Sequence, residues 1–450
     1  MKTTRSLVHV EEGPIGKTLL AFAAPVLAAQ LLQEIYSATD CAVVGHFAGG
    51  SALAAAGVAG LLLSVLINFF VGFSSGVSVI TGRLFGARDF PELRRTMTAV
   101  FRLVGWVGLA MTALGYAAAG PMLRALRCPA EVTPLALLYL RICLAGIVPQ
   151  LAGNVGTAIL RSLGDTRTPL WYFLLSVVWN LVLDVVLVAG LHTGVAGAAA
   201  ATLTAQWLLG ALILRRMTRL GEGCELHMRA AGGTSAQGRE ILRRGFPAGM
   251  QALFMSISSL LIQSSIDSFG PAAMAGMTVF AKVEGLLYLP SFAYGIALTG
   301  FVGQNYGARK PERIRQAVRI SALTMCAVIL PLSLALTAAC PWLLRLFTRD
   351  EAILWNAREA VRYTLPVYVV YAVNQIYLGA VKGMGDTAWP MVCTLLCYSL
   401  FRVAWCRALI PVYHTMRIVY LSYAVSFFLM LALILPACFR RIRRAPNKLT

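Results

Sequence analysis

Charged side chains are scarce in this chain of 450 residues. Only 13% of the residues are Asp, Glu, Lys or Arg, whereas 58% are hydrophobic and the mean hydropathy is +0.72. Soluble globular proteins are about a quarter charged. A chain of this length and composition cannot bury its apolar surface in one aqueous core, and it therefore needs lipid around it.

The chain also lacks the residue sets of enzymes and metal sites. Its five histidines are not spaced for metal binding, and no HExxH motif occurs. Its ten cysteines form no CxxC pair, and most lie inside apolar runs, so we interpret them as small buried hydrophobes. We therefore expect no enzymatic activity, no cofactor and no resident metal ion.

Twelve apolar runs are long enough to cross a bilayer, which takes about 20 helical residues. They cover residues 15–45, 52–81, 97–120, 132–158, 169–190, 194–214, 245–268, 273–303, 317–340, 354–380, 389–411 and 416–438. These runs predict an all-α polytopic membrane protein with twelve transmembrane helices.

Acidic residues are few, and the basic residues are unevenly placed. The chain has 19 Asp and Glu against 39 Lys and Arg, and most of the basic residues fall in connections on one side of the predicted spans. The opposite connections hold only Arg124, Arg127, Arg345, Arg349 and Arg417. Because basic loops stay inside, we predict cytoplasmic termini and a bacterial-type plasma (inner) membrane location. The net charge of +20 then needs no nucleic acid partner.

The two halves of the chain share sequence. Gly86-Ala87-Arg88 recurs as Gly307-Ala308-Arg309, and Gly164-Asp165-Thr166 recurs as Gly385-Asp386-Thr387. The shift is 221 residues in both cases. Since both GAR loops belong to the basic, cytoplasmic side, each repeat must contain an even number of spans. We predict two parallel repeats of six helices.

These repeats define the predicted domains. Residues 1–214 form an N-terminal six-helix lobe, residues 215–244 a cytoplasmic linker, and residues 245–450 a C-terminal six-helix lobe with a basic tail. Transporters with internal repeats place their sites near the bilayer midplane at the repeat interface.

The GARD and GARK loops, with the segments 158–166 and 380–387, resemble the multidrug and toxic compound extrusion (MATE) family. The resemblance covers nearly the whole chain. It implies two six-helix lobes around a central cavity and alternating access. It also implies export of small organic compounds, cationic or amphipathic, in exchange for H⁺ or Na⁺. We expect the protein to act as a monomer in the lipid bilayer.

Two carboxyl groups within the predicted spans are candidates for ion coupling. An ionisable residue in a membrane helix costs about 2.5–3.5 kcal/mol on insertion scales, so each suggests a function. Asp40 shares a helical face with Tyr36, and Asp184 shares one with Asn180. The second repeat carries Leu261 in place of Asp40, which favours a cation site in one lobe only. The alternative is a pair of structural, hydrogen-bonded carboxylates near the outer helix ends.

The DinF-like branch of the MATE family resembles this arrangement more closely than the NorM-like branch. The NorM-like branch has a Glu early in helix seven, and here no acid follows Gly245-Phe246-Pro247. The resemblance implies a cation-coupling site that could hold H⁺ or Na⁺. Its residues are Asp40, Asn154, Asn180, Asp184 and Thr202.

Polar and aromatic residues of both halves are candidates for lining the substrate cavity. They are Gln33, Tyr36, Gln150, Gln206, Lys282, Glu284, Tyr288 and Gln375. Helix packing is the alternative role for the aromatic residues, and a structural ion pair for Lys282 or Glu284. Pro25 is the candidate hinge of the first helix because it removes one backbone hydrogen bond, with a static kink as the alternative.

A lipid-linked oligosaccharide or precursor flippase of related two-lobe architecture is the main alternative function. Such a cavity needs fixed positive charge for a pyrophosphate. The first predicted span carries Asp40 and no Lys or Arg after Lys17. The main basic residues inside spans are Arg141, Lys282, Arg402 and Arg407. This distribution favours the efflux transporter over the flippase. The missing catalytic motifs disfavour a membrane enzyme, and a channel would not require duplicated lobes with carboxylates in one lobe only.

Overall fold

The computed structural model describes residue 10 and residues 13–125, 128–221, 223–227 and 235–444. Arg127, one of the predicted outer-side basic residues, lies outside these ranges. The described residues form helices and connecting turns, without a β-strand among them.

Fifteen α-helices make up this part of the chain. They are α1 (Ile15–Val43), α2 (Gly50–Gly86), α3 (Phe90–Ala125), α4 (Thr133–Leu144), α5 (Ile147–Ser162), α6 (Arg167–Asp184), α7 (Val195–Met217), α8 (Ser235–Asp267), α9 (Pro271–Gly307), α10 (Pro311–Arg345), α11 (Glu351–Thr364), α12 (Tyr368–Gly383), α13 (Ala388–Thr394), α14 (Phe401–Tyr413) and α15 (Arg417–Arg443). Short π-helical segments follow α1 (Val44–Ala48), α6 (Val185–Gly190) and α13 (Leu395–Leu400).

The helices account for all of the predicted spans. Over the described ranges, eleven helical stretches are long and apolar enough to cross a membrane. The pair α4 and α5, bent by 51° at a short break, brings the number to twelve. This confirms an all-α polytopic membrane protein. Several helices extend past the apolar runs, as α2 does, because helical hydrogen bonding continues into the polar residues beyond the hydrocarbon.

Matched loops of the two repeats share unusual backbone angles. Arg88 and Arg309, the third residues of the GAR loops, have φ of 59° and 54°. Gly164 and Gly385 have φ of 95° and 98°. A positive φ is uncommon for arginine, since its Cβ clashes in this region, and two occurrences at matched positions support the duplication.

The aspartates of the GDT loops have the same two contacts in each repeat. Asp165 Oδ1 accepts a hydrogen bond from the Thr168 backbone N–H at 3.0 Å, and its Oδ2 lies 3.0 Å from Arg216 Nη2. Asp386 Oδ1 accepts from the Trp389 backbone N–H at 3.0 Å, and Asp386 pairs with Arg441. Each aspartate therefore caps the start of one helix and ties it to the last turn of another.

We expect Asp165→Ala to destabilise the protein more than Asp386→Ala. The side chain of Asp165 is 3% exposed and that of Asp386 is 30% exposed, so the first substitution removes the more deeply buried ion pair. The expected losses are about 1–3 kcal/mol for Asp165→Ala and less than about 1 kcal/mol for Asp386→Ala. Thermal unfolding of the purified variants in one detergent measures the order, and equal shifts would contradict it.

The chain divides into two compact units. Unit one contains residues 28–249, and unit two contains residues 9–27 together with residues from Met250 onward. The division falls inside α1, between Leu27 and Ala28, two residues after Pro25. The predicted domain limits, which gave all of the first helix to the N-terminal lobe, stay a prediction.

Two features of unit two position its side chains. Ile15, Leu19 and Phe22 of α1 are buried in its hydrophobic core. Helices α9 and α12 cross closely at Gly379, where a Cβ atom would lie 2.5 Å from the carbonyl oxygen of Gly295. Only glycine allows this approach, and it brings the polar residues of α9 beside those of α12.

Candidate functional site

The two candidate coupling carboxyls lie together in unit one. Asp184 is fully buried at the end of α6, and Asp40 is half-buried in α1. The two carboxyl groups are within hydrogen-bonding range of each other. Yet Oδ1 of Asp40 and Oδ1 of Asp184 have no donor among the described residues. Two carboxylates at this range repel unless a proton or a cation lies between them.

Asn180 holds Asp184 in place. When its amide nitrogen faces the carboxyl group, Nδ2 donates to Asp184 Oδ2 at 3.0 Å. Its Oδ1 then accepts from the Thr202 backbone N–H of α7 at 3.2 Å. Asn180 is 1% exposed, so both contacts are shielded from solvent. The i, i+4 spacing on α6 places this amide next to the carboxyl group, as the sequence indicated.

Hydroxyl groups surround the carboxyl pair. The Tyr36 hydroxyl approaches the Thr202 hydroxyl and lies near both Asp40 and Asp184. Tyr139 of α4 approaches the same Thr202 hydroxyl and also contacts Cys143. Sequence reasoning missed Tyr139 and treated Cys143 as a small buried hydrophobe. Their i, i+4 spacing predicts that Tyr139 and Cys143 share a helix face, but it does not place them beside Thr202.

The other predicted residues of unit one lie near the bend between α4 and α5 or at the surface. Gln206 Oε1 has no hydrogen-bond donor within the described ranges, and a Cβ atom at Gly146 would lie 1.9 Å from it. Gln150 and Asn154 are half-buried on α5, and Gln33 is exposed on α1. No contact recorded for the described residues joins Asn154 to the carboxyl pair.

Several predicted cavity residues of unit two lie in an aromatic cluster. The ring of Tyr288 is stacked with that of Tyr371 at 6.0 Å, and Gln375 Nε2 donates to the Tyr371 hydroxyl. Glu284 forms a hydrogen bond with Tyr368. Lys282 is exposed on α9 and makes no ion pair with Glu284 among the described side chains.

The candidate site offers oxygen ligands rather than a dense metal centre. Across the described residues, no group of three or more His, Cys, Asp and Glu side chains could hold a metal ion. Two carboxyl groups with amide and hydroxyl oxygens suit a proton or a hard monovalent cation that binds and leaves. The π-helical segments after α1 and α6 begin within four residues of Asp40 and Asp184, and such segments are frequent at functional sites.

Comparison with protein family models shows which family the chain belongs to. The MatE family model matches residues 25–186 and 247–406, which is most of the chain and includes both repeats. The chain belongs to the MatE family. This confirms the resemblance to MATE transporters drawn from the GAR and GDT loops, and members of the family are transporters rather than enzymes.

Named relatives have low sequence identity to this protein but align with most of the chain. The probable multidrug resistance protein YpnP of Bacillus subtilis is 24% identical over 87% of both chains. The probable multidrug resistance protein NorM of Thermotoga maritima is 26% identical over 86% of this chain and 84% of its own. A protein named FAD transporter from Shewanella oneidensis is 26% identical over 76% of both. These names do not converge on one substrate, nor do they separate the DinF-like and NorM-like branches.

Solved MatE-type structures share the fold over the whole length. A structure described as MATE in the bent conformation has a TM-score of 0.89, with 23% identity and 99% coverage of both chains. One described as MATE in the straight conformation has a TM-score of 0.87, with 24% identity and the same coverage. With bacterial relatives and many spans, the protein is a multi-pass protein of a bacterial membrane.

We expect Asn180→Ala to impair both stability and coupling. The substitution removes a donor to the buried Asp184 and the contact of the amide with the Thr202 N–H of α7, at a cost of about 1–3 kcal/mol. Ser176→Ala is the matched control because Ser176 Oγ also joins α6 to α7, donating to the Ala205 carbonyl at 2.9 Å. Thermal unfolding should show losses in both variants, and ion-driven transport a loss in Asn180→Ala alone. An equal transport loss in the two would indicate a purely structural role for Asn180.

Proposed function

We propose that the protein is a secondary antiporter that exports organic compounds in exchange for H⁺ or Na⁺. The observation that carries this proposal is the contact between Asp40 and Asp184 in unit one, where the Oδ1 atom of each has no donor among the described residues. Such a pair needs one positive charge, and either ion can supply it. The names of the multidrug relatives support drug export as the transport function.

The chemistry of the pair explains why an ion could drive a change of state. Without a bound ion, the two carboxylates repel each other and draw in water or polar groups. With a proton or Na⁺ between them, the pair carries less charge, and α1 can pack differently against α6 and α7. An ion therefore biases the conformation of α1 only if it binds one state more tightly than the other.

The asymmetry of the repeats supports a single coupling site. In the second repeat Leu261 replaces Asp40 and Trp405 replaces Asp184. We propose that Asn180 and Thr202 complete the site, and that Asn154 joins it in another state of the transport cycle. The absence of an acid after Pro247 supports the DinF-like assignment.

We further propose that the predicted cavity residues of each lobe contact substrate, and that access alternates between the two sides of the membrane. The basic connections support cytoplasmic termini in the inner membrane. The flippase alternative is not favoured, because the named relatives are drug and flavin transporters.

Reconstituted protein tests the proposal directly. Proteoliposomes loaded with the fluorescent cation rhodamine 6G are given an inward pH gradient, an inward Na⁺ gradient or none. We expect one of the two gradients to accelerate release, and an ionophore that collapses that gradient to abolish the acceleration. A release rate that is the same with either gradient and without one would refute antiport. Rescue of cells that lack translocation of a lipid-linked precursor would instead establish a flippase.

A further inference from the structure

Arg402 of α14 is a cation buried inside unit two. Its side chain is 7% exposed, and its guanidinium carbon lies over three aromatic rings. The distances to the ring centroids are 4.1 Å for Tyr423, 4.8 Å for Tyr398 and 5.5 Å for Phe427. These cation–π contacts offset part of the cost of placing the charge within a membrane domain.

Most of the hydrogen-bonding capacity of Arg402 is not used. Its Nε donates to Ser426 Oγ at 2.8 Å. The two terminal nitrogens have no acceptor among the described residues, and they are not sealed within the protein interior. A guanidinium has five N–H donors in a planar fork. The four N–H groups of the terminal nitrogens are therefore available to donate to a bound ligand.

No carboxylate fills this role by direct contact. Glu284 of α9 interacts electrostatically with Arg402, but its hydrogen bond is with Tyr368. No ion pair joins Glu284 to Arg402 in the described part of the chain. Glu284 and Arg402 are therefore near each other but not in direct contact.

A row of rings extends away from Arg402. Tyr398, which lies under the guanidinium, is 6.5 Å from Tyr371, and Tyr371 is 6.0 Å from Tyr288. Tyr288 is half-buried and stacks with Phe292 at 5.5 Å. Tyr398 and Tyr371 are 3% and 5% exposed and belong to the hydrophobic core of unit two, so a planar ligand could extend the row only from Tyr288.

We propose that Arg402 binds a carboxylate or phosphate group on a planar aromatic substrate, whose rings pack against the half-buried Tyr288 at the far end of this row. A planar fork with free donors matches an oxyanion in a bidentate geometry. The neighbouring Glu284 carboxylate extends this selectivity to zwitterions, which place a cationic group near the acid. The inference rests on the proposed export function and adds aromatic acids and zwitterions to its substrate class.

Two dyes that differ in one group test this site. Rhodamine 110 carries a free carboxylate, and rhodamine 123 is its cationic methyl ester. Fluorescence polarisation with purified protein in detergent measures both dissociation constants without any transport step. We expect Arg402→Gln to weaken binding of the acid about tenfold or more, and binding of the ester less than about twofold. Arg402→Lys, which keeps the charge but loses the fork, should fall between.

Glu284→Gln should weaken binding of both dyes, because both carry the same cationic xanthene group. The contrast with Arg402→Gln, which weakens the acid alone, cannot arise from general damage to the fold. Arg407→Gln is the control, because Arg407 is an exposed arginine on the same helix. Absence of acid binding to the parent protein, or equal losses for both dyes in Arg402→Gln, would overturn the inference. Because the assay needs no gradient, these outcomes are independent of whether transport is ion-driven.

Discussion

Asp40→Asn should abolish gradient-driven efflux while leaving the protein folded. Asparagine has nearly the same volume and can hydrogen-bond Asp184, but it cannot release a proton or neutralise Na⁺. The ion then binds both conformations of α1 equally, and it cannot shift the equilibrium between them. We expect at least about a tenfold loss of the gradient-dependent rate. Proteoliposome release of rhodamine 6G, with and without the gradient, measures it.

A matched substitution separates coupling from general damage. Asp89 Oδ1 accepts a hydrogen bond from the Glu92 backbone N–H at 3.1 Å at the start of α3. Asparagine caps helices as well as aspartate does, so Asp89→Asn should leave efflux unchanged. If Asp40→Asn keeps the gradient dependence of the parent protein, the role assigned to Asp40 is wrong.

The contact with Asp184 makes a second expectation possible. If the two carboxyl groups share one ion, either Asp→Asn substitution should cost about as much as both together. Independent sites would instead show additive losses, since additivity holds for residues with no shared partner. The double variant therefore distinguishes one shared site from two.

The parts of this site that follow from local spacing could be predicted from the sequence. Asn180 and Asp184 are one helical turn apart, and so are Tyr36 and Asp40, so the helix period alone places each pair together. The spans and repeats were equally accessible, because hydropathy and an exact repeat shift are properties of the chain itself. The repeated GAR and GDT loops could be found without any knowledge of tertiary contacts.

The contacts between distant helices could not be predicted in this way. Nothing in the sequence places Tyr139 beside Thr202, or surrounds Arg402 with rings from α15 and the π-helical segment before α14. Such neighbours depend on helix rotation and crossing points, which are set by close approaches such as that at Gly379. Helix rotations and crossing points depend on the packing of many residues at once, so they cannot be inferred from any local stretch of one sequence.

Pro25→Ala should slow transport without preventing substrate binding. Pro25 has no N–H to donate to the carbonyl of Ala21, so bending of α1 costs less at this point than elsewhere. Two residues later the helix passes from one compact unit to the other. Alanine restores the hydrogen bond and favours a straight helix. A bias of about 1.4 kcal/mol would change the ratio of bent to straight forms tenfold.

The measurement compares the rate of rhodamine 6G release with its dissociation constant in detergent. We expect several-fold to tenfold slower release in Pro25→Ala, with binding changed less than about twofold. Pro436→Ala is the control, because Pro436 also lies within a membrane helix but α15 belongs entirely to unit two. If the two substitutions slow release equally, proline removal acts through helix packing in general. A loss confined to Pro25→Ala would instead support bending of α1 near the point where it passes from one unit to the other.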